Sequence, residues 1–153
     1  MIPFYLVTGF LGSGKTTLLK NLLHHNDGKE RLAIIQNECA PSGTDGTELL
    51  LEGKDFRLVE VNNGSVFCVC MLGSFAGSLA KVIREYRPDR IILEASGLSD
   101  PINILELLQD PEISNAVSLE KIITIVDAST FHRAMAMLNR TRHQVMIADI
   151  LLL

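Results

Sequence analysis

At 153 residues, with 47% hydrophobic and 21% charged residues, the chain is long enough to bury one substantial core and too apolar to be disordered. Its formal net charge of -4, with no compensating basic cluster, argues against a sequence-independent nucleic-acid binder. No apolar run approaches the roughly 18 residues of a membrane span, and three cysteines cannot all pair, which points to reduced thiols in a cytoplasmic setting.

Ile2-Pro3-Phe4-Tyr5-Leu6-Val7 is apolar and β-prone, and it runs straight into Thr8-Gly9-Phe10-Leu11-Gly12-Ser13-Gly14-Lys15-Thr16-Thr17. That stretch fits G-x-x-x-x-G-K-[ST], with Gly9, Gly14, Lys15 and Thr16 at the required places. No basic leader precedes it, so the apolar start does not read as a signal peptide. Glycines permit positive φ and put no Cβ in the way, so the backbone amides of Gly12, Ser13, Gly14, Lys15, Thr16 and Thr17 can converge on phosphate oxygens. A helix from Lys15 or Thr16 to Leu23 adds its positive dipole end. The Lys15 ammonium can reach the β- and γ-phosphates and the Thr16 hydroxyl can ligate Mg²⁺. The reading is a site for a nucleoside triphosphate or diphosphate.

Leu18, Leu19, Leu22 and Leu23 recur at helical spacing, His24-His25 lie near the helix end, and Asn26-Asp27-Gly28 stops it. Leu32-Ala33-Ile34-Ile35 is short and wholly apolar, as expected of a parallel strand covered on both faces. It delivers Gln36-Asn37-Glu38-Cys39 to the strand's carboxyl end, beside the phosphate loop. Ala40 to Gly53 reads as a loop with a short helix around Thr47 to Leu51, and Phe56 to Val61 as another strand. From Leu72, the set Leu72, Phe75, Ala76, Leu79, Val82, Ile83 and Tyr86 predicts an amphipathic helix that stops before Pro88.

Arg90-Ile91-Ile92-Leu93 is a fourth strand, opening into Glu94-Ala95-Ser96-Gly97-Leu98-Ser99-Asp100-Pro101. Asp100 as cap and Pro101 at the first helical position start a helix to about Leu108. Lys121 to Val126 is a fifth strand ending at Asp127, which either lies at the site or only starts the next helix. Ser129 is expected to cap a helix with Phe131, Ala134, Met135 and Leu138 facing inward, the methionines being core fillers. His132 and His143 lack metal-ligand spacing and read as surface residues. Asp149 to Leu153 looks like a sixth strand cut off as it enters the core, so the chain reads as a piece of a longer protein. Strands alternating with helices predict an α/β, three-layer α/β/α P-loop NTPase fold with a mainly parallel sheet and helices on both faces.

Cys68 and Cys70, two residues apart in what reads as an extended loop, can both bind a soft or borderline ion such as Zn²⁺ or another transition metal. Cys39 leaves a neighbouring strand end and makes a three-thiolate site conceivable, with Glu38 as an oxygen ligand. Small hydrophobic or bystander roles for these thiols stay open.

Val7 to Thr17, Gln36-Asn37-Glu38, Glu60-Val61-Asn62-Asn63-Gly64, Pro88 to Pro101 and Ile125-Val126-Asp127-Ala128 run in register over nearly the whole chain. Taken together they resemble the CobW/UreG/HypB family of SIMIBI-class P-loop GTPases, closest to its CobW-like branch. The resemblance implies a GTPase, slow without a partner, that uses GTP/GDP and Mg²⁺ and serves as a metallochaperone or inserts metals or cofactors into client enzymes. It makes Glu94 the Walker-B-type acid on Mg²⁺ and Gly97 the residue whose N–H senses the γ-phosphate. Asp45 becomes the switch acid that reaches Mg²⁺ or positions water. A nucleotide-dependent homodimer is implied in the same way. Two departures stand out: Ser65-Val66-Phe67-Cys68 replaces the family's Cys-x-Cys-Cys, and Cys39-Ala40-Pro41 replaces Phe-Gly-Glu. The Asn-Lys-x-Asp guanine-recognition motif is expected past Leu153, making residues 1–153 a GTPase domain truncated before it. The alternatives are a P-loop small-molecule kinase and a nucleotide-dependent scaffold for a corrinoid or other metalloenzyme.

Overall fold

The computed structural model describes residues 1–26, 30–36, 56–60, 69–97 and 99–153. Six strands, β1 (Ile2–Gly9), β2 (Leu32–Gln36), β3 (Phe56–Glu60), β4 (Arg90–Glu94), β5 (Val117–Ile125) and β6 (Ile150–Leu152), form one sheet in the order β3-β2-β4-β1-β5-β6. Every neighbouring pair is parallel. The sheet alternates with α1 (Lys15–Asn26), α2 (Val69–Tyr86), α3 (Pro101–Leu107), α4 (Pro111–Ser114), α5 (Phe131–Met137) and α6 (Asn139–Met146).

Parallel strands joined by helical crossovers bury both faces, which is why β2 carries no exposed position over Leu32–Gln36. On one face Leu19 of α1 packs with Val7, Ile34, Ile92 and Ile125, flanked by Tyr5, Leu18 and Leu23. On the other, Phe4, Leu6, Ala33, Ile35, Ile91 and Leu93 meet Leu79 and Val82 of α2, Ile104 and Leu107 of α3, and Ile113 of α4. Odd and even residues of β1 thus supply different cores, as the two-residue period of a strand requires. Each fully buried aliphatic side chain contributes about 1.5–3 kcal/mol. The result is the expected three-layer α/β/α architecture, with a sheet parallel throughout its described pairings.

Several predicted elements shift. α2 starts three residues before the expected Leu72, so Cys70 has helical backbone and the extended Cys68–Cys70 loop is corrected for that residue. β5 begins at Val117 rather than Lys121: its first residues pair with Ile2–Phe4, and the register then slips at Phe4/Tyr5. Polar Ser118 and Glu120 hid this extension from a search for apolar runs. Asp110 caps α4 by accepting from Glu112 N at 2.9 Å, with Pro111 at the first helical position, repeating the Asp-Pro signal of α3. The chain breaks at Leu138 (φ -128°, ψ 112°) and continues as α6, a helix absent from the sequence reading. The helix expected around Thr47 to Leu51 lies outside the described residues.

Ser129 is not the cap of α5. Thr130 holds that position without a side-chain cap bond, and Asp127 organises the turn instead, its Oδ1 accepting from Ser129 N (2.9 Å) and Ser129 Oγ (2.6 Å). The Ser129 hydroxyl, then its amide, holds the Asp127 carboxyl below the usual aspartate range. The expected inner face of α5 is only half-buried, and Met137 is 71% exposed, so that methionine fills no core. His132 is exposed, and His143, partly exposed, has its Nδ1 2.8 Å from Asp100 Oδ2, a partner the sequence does not show.

Candidate functional site

The carboxyl ends of β1, β2, β4 and β5 come together on one edge of the sheet, and the phosphate-loop sequence leaves from the first of them. Three glycines shape the loop for different reasons. Gly9 has φ +141°, and a Cβ there would strike Ile125 O and come within 2.8 Å of Ser13 Oγ, so the neighbouring strand forbids a side chain. Gly12 (φ +75°) and Gly14 (φ +99°) face open space, and their requirement is conformational. The loop closes through Ser13 N donating to Phe10 O at 3.2 Å, and α1 takes over with Leu18 N donating to Gly14 O at 3.0 Å.

Lys15 is buried, with Nζ donating to Gly9 O (3.0 Å) and Phe10 O (3.1 Å). Its cation is thereby held under the root of the loop instead of dispersed in solvent. Thr16 is half-buried and Thr17 exposed in the first turn of α1, which carries no acidic residue to compete for the helix's positive end. Hydroxyl, ammonium and converging amides are the chemistry an oligophosphate needs.

Glu94 ends β4, 8% exposed, and its Oε2 accepts from Gln36 Nε2 at 2.7 Å. Sheet register explains the pair: Gln36 of β2 lies opposite Glu94, which lies opposite Val7 of β1. The donor is a neutral amide, which fixes the direction of one carboxylate oxygen. The sequence places Gln36 beside the phosphate loop without giving it a role; a polar residue closing an all-apolar run was the signal for one. Ala95 N then donates to Val7 O at 2.9 Å, tying the segment after Glu94 to β1.

Gly97 brings that segment against the loop. A Cβ on it would lie 2.5 Å from Leu11 N, 2.9 Å from Phe10 C and 3.0 Å from Leu11 Cα. Backbone thus packs on backbone. Beyond it, Asp100 caps α3, its Oδ1 accepting from Ile102 N at 3.1 Å. Asp127, the other strand-end acid, is spent on the Ser129 turn.

Of the residues singled out from the sequence, Gly12, Ser13, Gly14, Lys15, Thr16 and Thr17 form the loop and the first turn of α1. Glu94 and Gly97 lie on the adjoining strand end and turn. Cys70 sits in the first turn of α2. Glu38, Cys39, Asp45 and Cys68 lie outside the described residues. Among the described residues no three His, Cys, Asp or Glu side chains gather as a metal site, and no helix is long and apolar enough to cross a membrane. A cavity of about 330 Å³ lined by Tyr5, Leu22, His25 and Arg90 lies on the α1 face and includes no phosphate-loop residue.

The family model for the nucleotide-binding domain of CobW/HypB/UreG matches residues 3–153. A relative called zinc chaperone CobW from Sinorhizobium sp. is 38% identical over 133 residues, covering 84% of this chain and 37% of its own. Zinc chaperone YeiR of Escherichia coli (strain K12) is 37% identical over 147 residues, covering 95% of this chain and 44% of its own. The chain therefore spans about two fifths of these relatives. The crystal structure of Zn(II)-bound YjiA GTPase from E. coli superposes with a TM-score of 0.68 at 24% identity, covering 98% of this chain and 48% of that one.

Proposed function

This chain belongs to the CobW/HypB/UreG family, and from that premise we propose that it binds and hydrolyses GTP as the nucleotide-dependent part of a zinc or other metal chaperone. The observation that carries the reading is the packing of Gly97 on the loop backbone beside buried Glu94. A strand-end acid and a γ-phosphate sensor both belong within reach of the loop that grips the phosphates.

In this reading the loop amides and the positive end of α1 hold the phosphates, and Lys15 shifts from the Gly9 and Phe10 carbonyls to the β- and γ-oxygens. The Thr16 hydroxyl and the Glu94 carboxylate are hard oxygen donors of the kind Mg²⁺ takes, and they stand at the helix start and the buried strand end. Magnesium supplies charge neutralisation between the β- and γ-phosphates when bound. Gln36 keeps Glu94 aimed, Gly97 meets the γ-phosphate through its N–H, and Asp45 orients water or reaches the cation. Turnover is slow until a partner orders these segments, and a nucleotide-dependent homodimer is one such arrangement.

The transported metal is the cargo. Cys68, Cys70, Cys39 and Glu38 are the proposed ligands, a set whose thiolates suit zinc. Two relatives named as zinc chaperones support zinc, and a client metalloenzyme or cofactor-dependent protein in the cytoplasm would receive it. Residues 1–153 then form part of the GTPase domain, with guanine read by sequence past Leu153.

Calorimetric titration of the full-length protein with GTP, ATP and Zn²⁺, separately and together in the presence of Mg²⁺, tests this. Preferential GTP binding that Lys15→Ala weakens at least tenfold, with phosphate release, is expected. Binding of neither triphosphate, or phosphorylation of an acceptor without phosphate release, would overturn it.

A further inference from the structure

Helix α6 holds the segment that follows Glu94. Gln144, 1% exposed, donates from Nε2 to Ser99 O at 3.3 Å, and its own carbonyl accepts from Thr124 Oγ1 at 2.7 Å. One residue earlier, His143 Nδ1 lies 2.8 Å from Asp100 Oδ2. Thr141 and Gln144, three apart, share the buried helix face. Phe10 of the phosphate loop borders a void of about 10 Å³ together with Thr124, Thr141 and Gln144.

Two fixed points therefore bracket a short span. Upstream, Ala95 N is tied to Val7 O of β1; downstream, Ser99 O and Asp100 are tied to α6. Between them Ser99 N donates to Ser96 O at 2.9 Å, closing a turn that contains Gly97. Gln144 is itself anchored to β5 through Thr124, so the downstream point is set by the sheet and not by the loop alone. The side-chain atoms Thr8 Oγ1, Ser99 Oγ, Thr141 Oγ1 and Gln144 Oε1 are buried without a hydrogen-bond partner among the described residues. Buried polar groups are ordinarily paired. A seam carrying this much unused capacity can re-pair when the turn shifts, and a switch needs two such arrangements.

We propose that Gln144 is a positioning residue for the γ-phosphate-sensing turn: by pinning Ser99 it sets where Gly97 stands when a triphosphate replaces a diphosphate. His143 supports it through Asp100. The proposal rests on the reading of Gly97 as the sensor.

The test uses the full-length protein with Mg²⁺ and either GDP or a non-hydrolysable GTP analogue. Affinity is measured by calorimetry, and protection of amides 96–100 by hydrogen exchange. In the unaltered protein the analogue should protect these amides more than GDP does. Gln144→Leu should lower affinity for the analogue about tenfold, the scale of one buried hydrogen bond, while changing GDP affinity less than twofold. The extra protection should disappear. A purely structural role for Gln144 would weaken both nucleotides alike and overturn the proposal. His143→Ala, at a half-buried site that folding tolerates better, should lower analogue affinity in the same direction by roughly threefold. If both variants keep the analogue's advantage, the assignment falls and the sensor reading stands. If the unaltered protein shows no difference between the two nucleotides at 96–100, the sensor reading falls first and takes the assignment with it.

Discussion

Replacing Gly97 by alanine perturbs the proposed site through one methyl group. The added Cβ would sit 2.5 Å from Leu11 N, with Phe10 C at 2.9 Å and Leu11 Cα at 3.0 Å, all backbone atoms that cannot rotate aside. Ordinary non-bonded separations are roughly 3.5 Å or more, so the turn and the loop must part by about 1 Å. Overpacking of this kind costs about 1–3 kcal/mol. For a chain of this size that lowers the melting temperature by roughly 2–4 °C per kcal/mol. The larger effect falls on function. A 1 Å misplacement of groups that position a reacting centre costs on the order of 10²-fold in rate. Gly97→Ala should therefore melt several degrees lower and hydrolyse GTP about a hundredfold more slowly, with GDP bound nearly as before. Differential scanning fluorimetry and single-turnover phosphate release measure the two. A variant that melts and turns over like the unaltered protein would show that the backbone contact does not govern either property.

Gln36→Met keeps the bulk of a buried side chain but removes the donor to Glu94, which should destabilise by about 1.5–3 kcal/mol, the value of a hydrogen bond to a charged group. The deficit should shrink with Mg²⁺ and nucleotide present; equal melting deficits with and without them would remove Glu94 from the cation. The Asp89 carboxyl is held below the usual aspartate range, first by the side-chain hydrogen bond from Arg31 and then by that residue's amide. Because its folded value is the lower one, this stabilisation is present above about pH 3.9 and disappears as pH falls through the folded value. Arg31→Ala should accordingly melt lower than the unaltered protein at pH 7, and circular dichroism should show the gap closing as the acid protonates below the ordinary aspartate range. Cys68→Ser combined with Cys70→Ser should weaken Zn²⁺ binding to the full-length protein at least tenfold in a competition titration; unaltered affinity would remove both thiols from the metal site.

Legibility followed the kind of signal each element carried. The phosphate loop was readable because its constraint is local: glycines and a lysine at fixed spacing leave few other uses. The buried strands at 32–36 and 90–94 were readable because both faces are covered, so Leu32–Ile35 and Ile91–Leu93 are unbroken apolar runs. Asp100 with Pro101 announced α3, and the same pair at Asp110 and Pro111 announced α4 without being read. Where the determinant was tertiary, reading failed. Nothing near Leu138 marks a break in the sequence, since no glycine or proline stands there and α6 is fixed by contacts to β5 and to residue 99. Val69, Cys70 and Met71 join α2 unannounced, since an unbroken apolar run carries no helical period and the template starts only at Leu72.

The candidate site itself depends on a fact no local pattern contains, the insertion of β4 between β2 and β1. Chain order alone would set β2 beside β1 and leave Glu94 elsewhere. With β4 inserted, parallel register aligns Val7, Glu94 and Gln36 in one row across three strands. That row puts the acid one strand from the phosphate loop and gives it a neutral donor on its far side. It also starts the chain after residue 94 so close to the loop that the third residue on, Gly97, has room for no side chain. The glycine, the acid and the amide are therefore consequences of a single topological choice. Changing Gln36, Glu94 or Gly97 separately tests three contacts of one arrangement, and effects from such neighbours should couple rather than add.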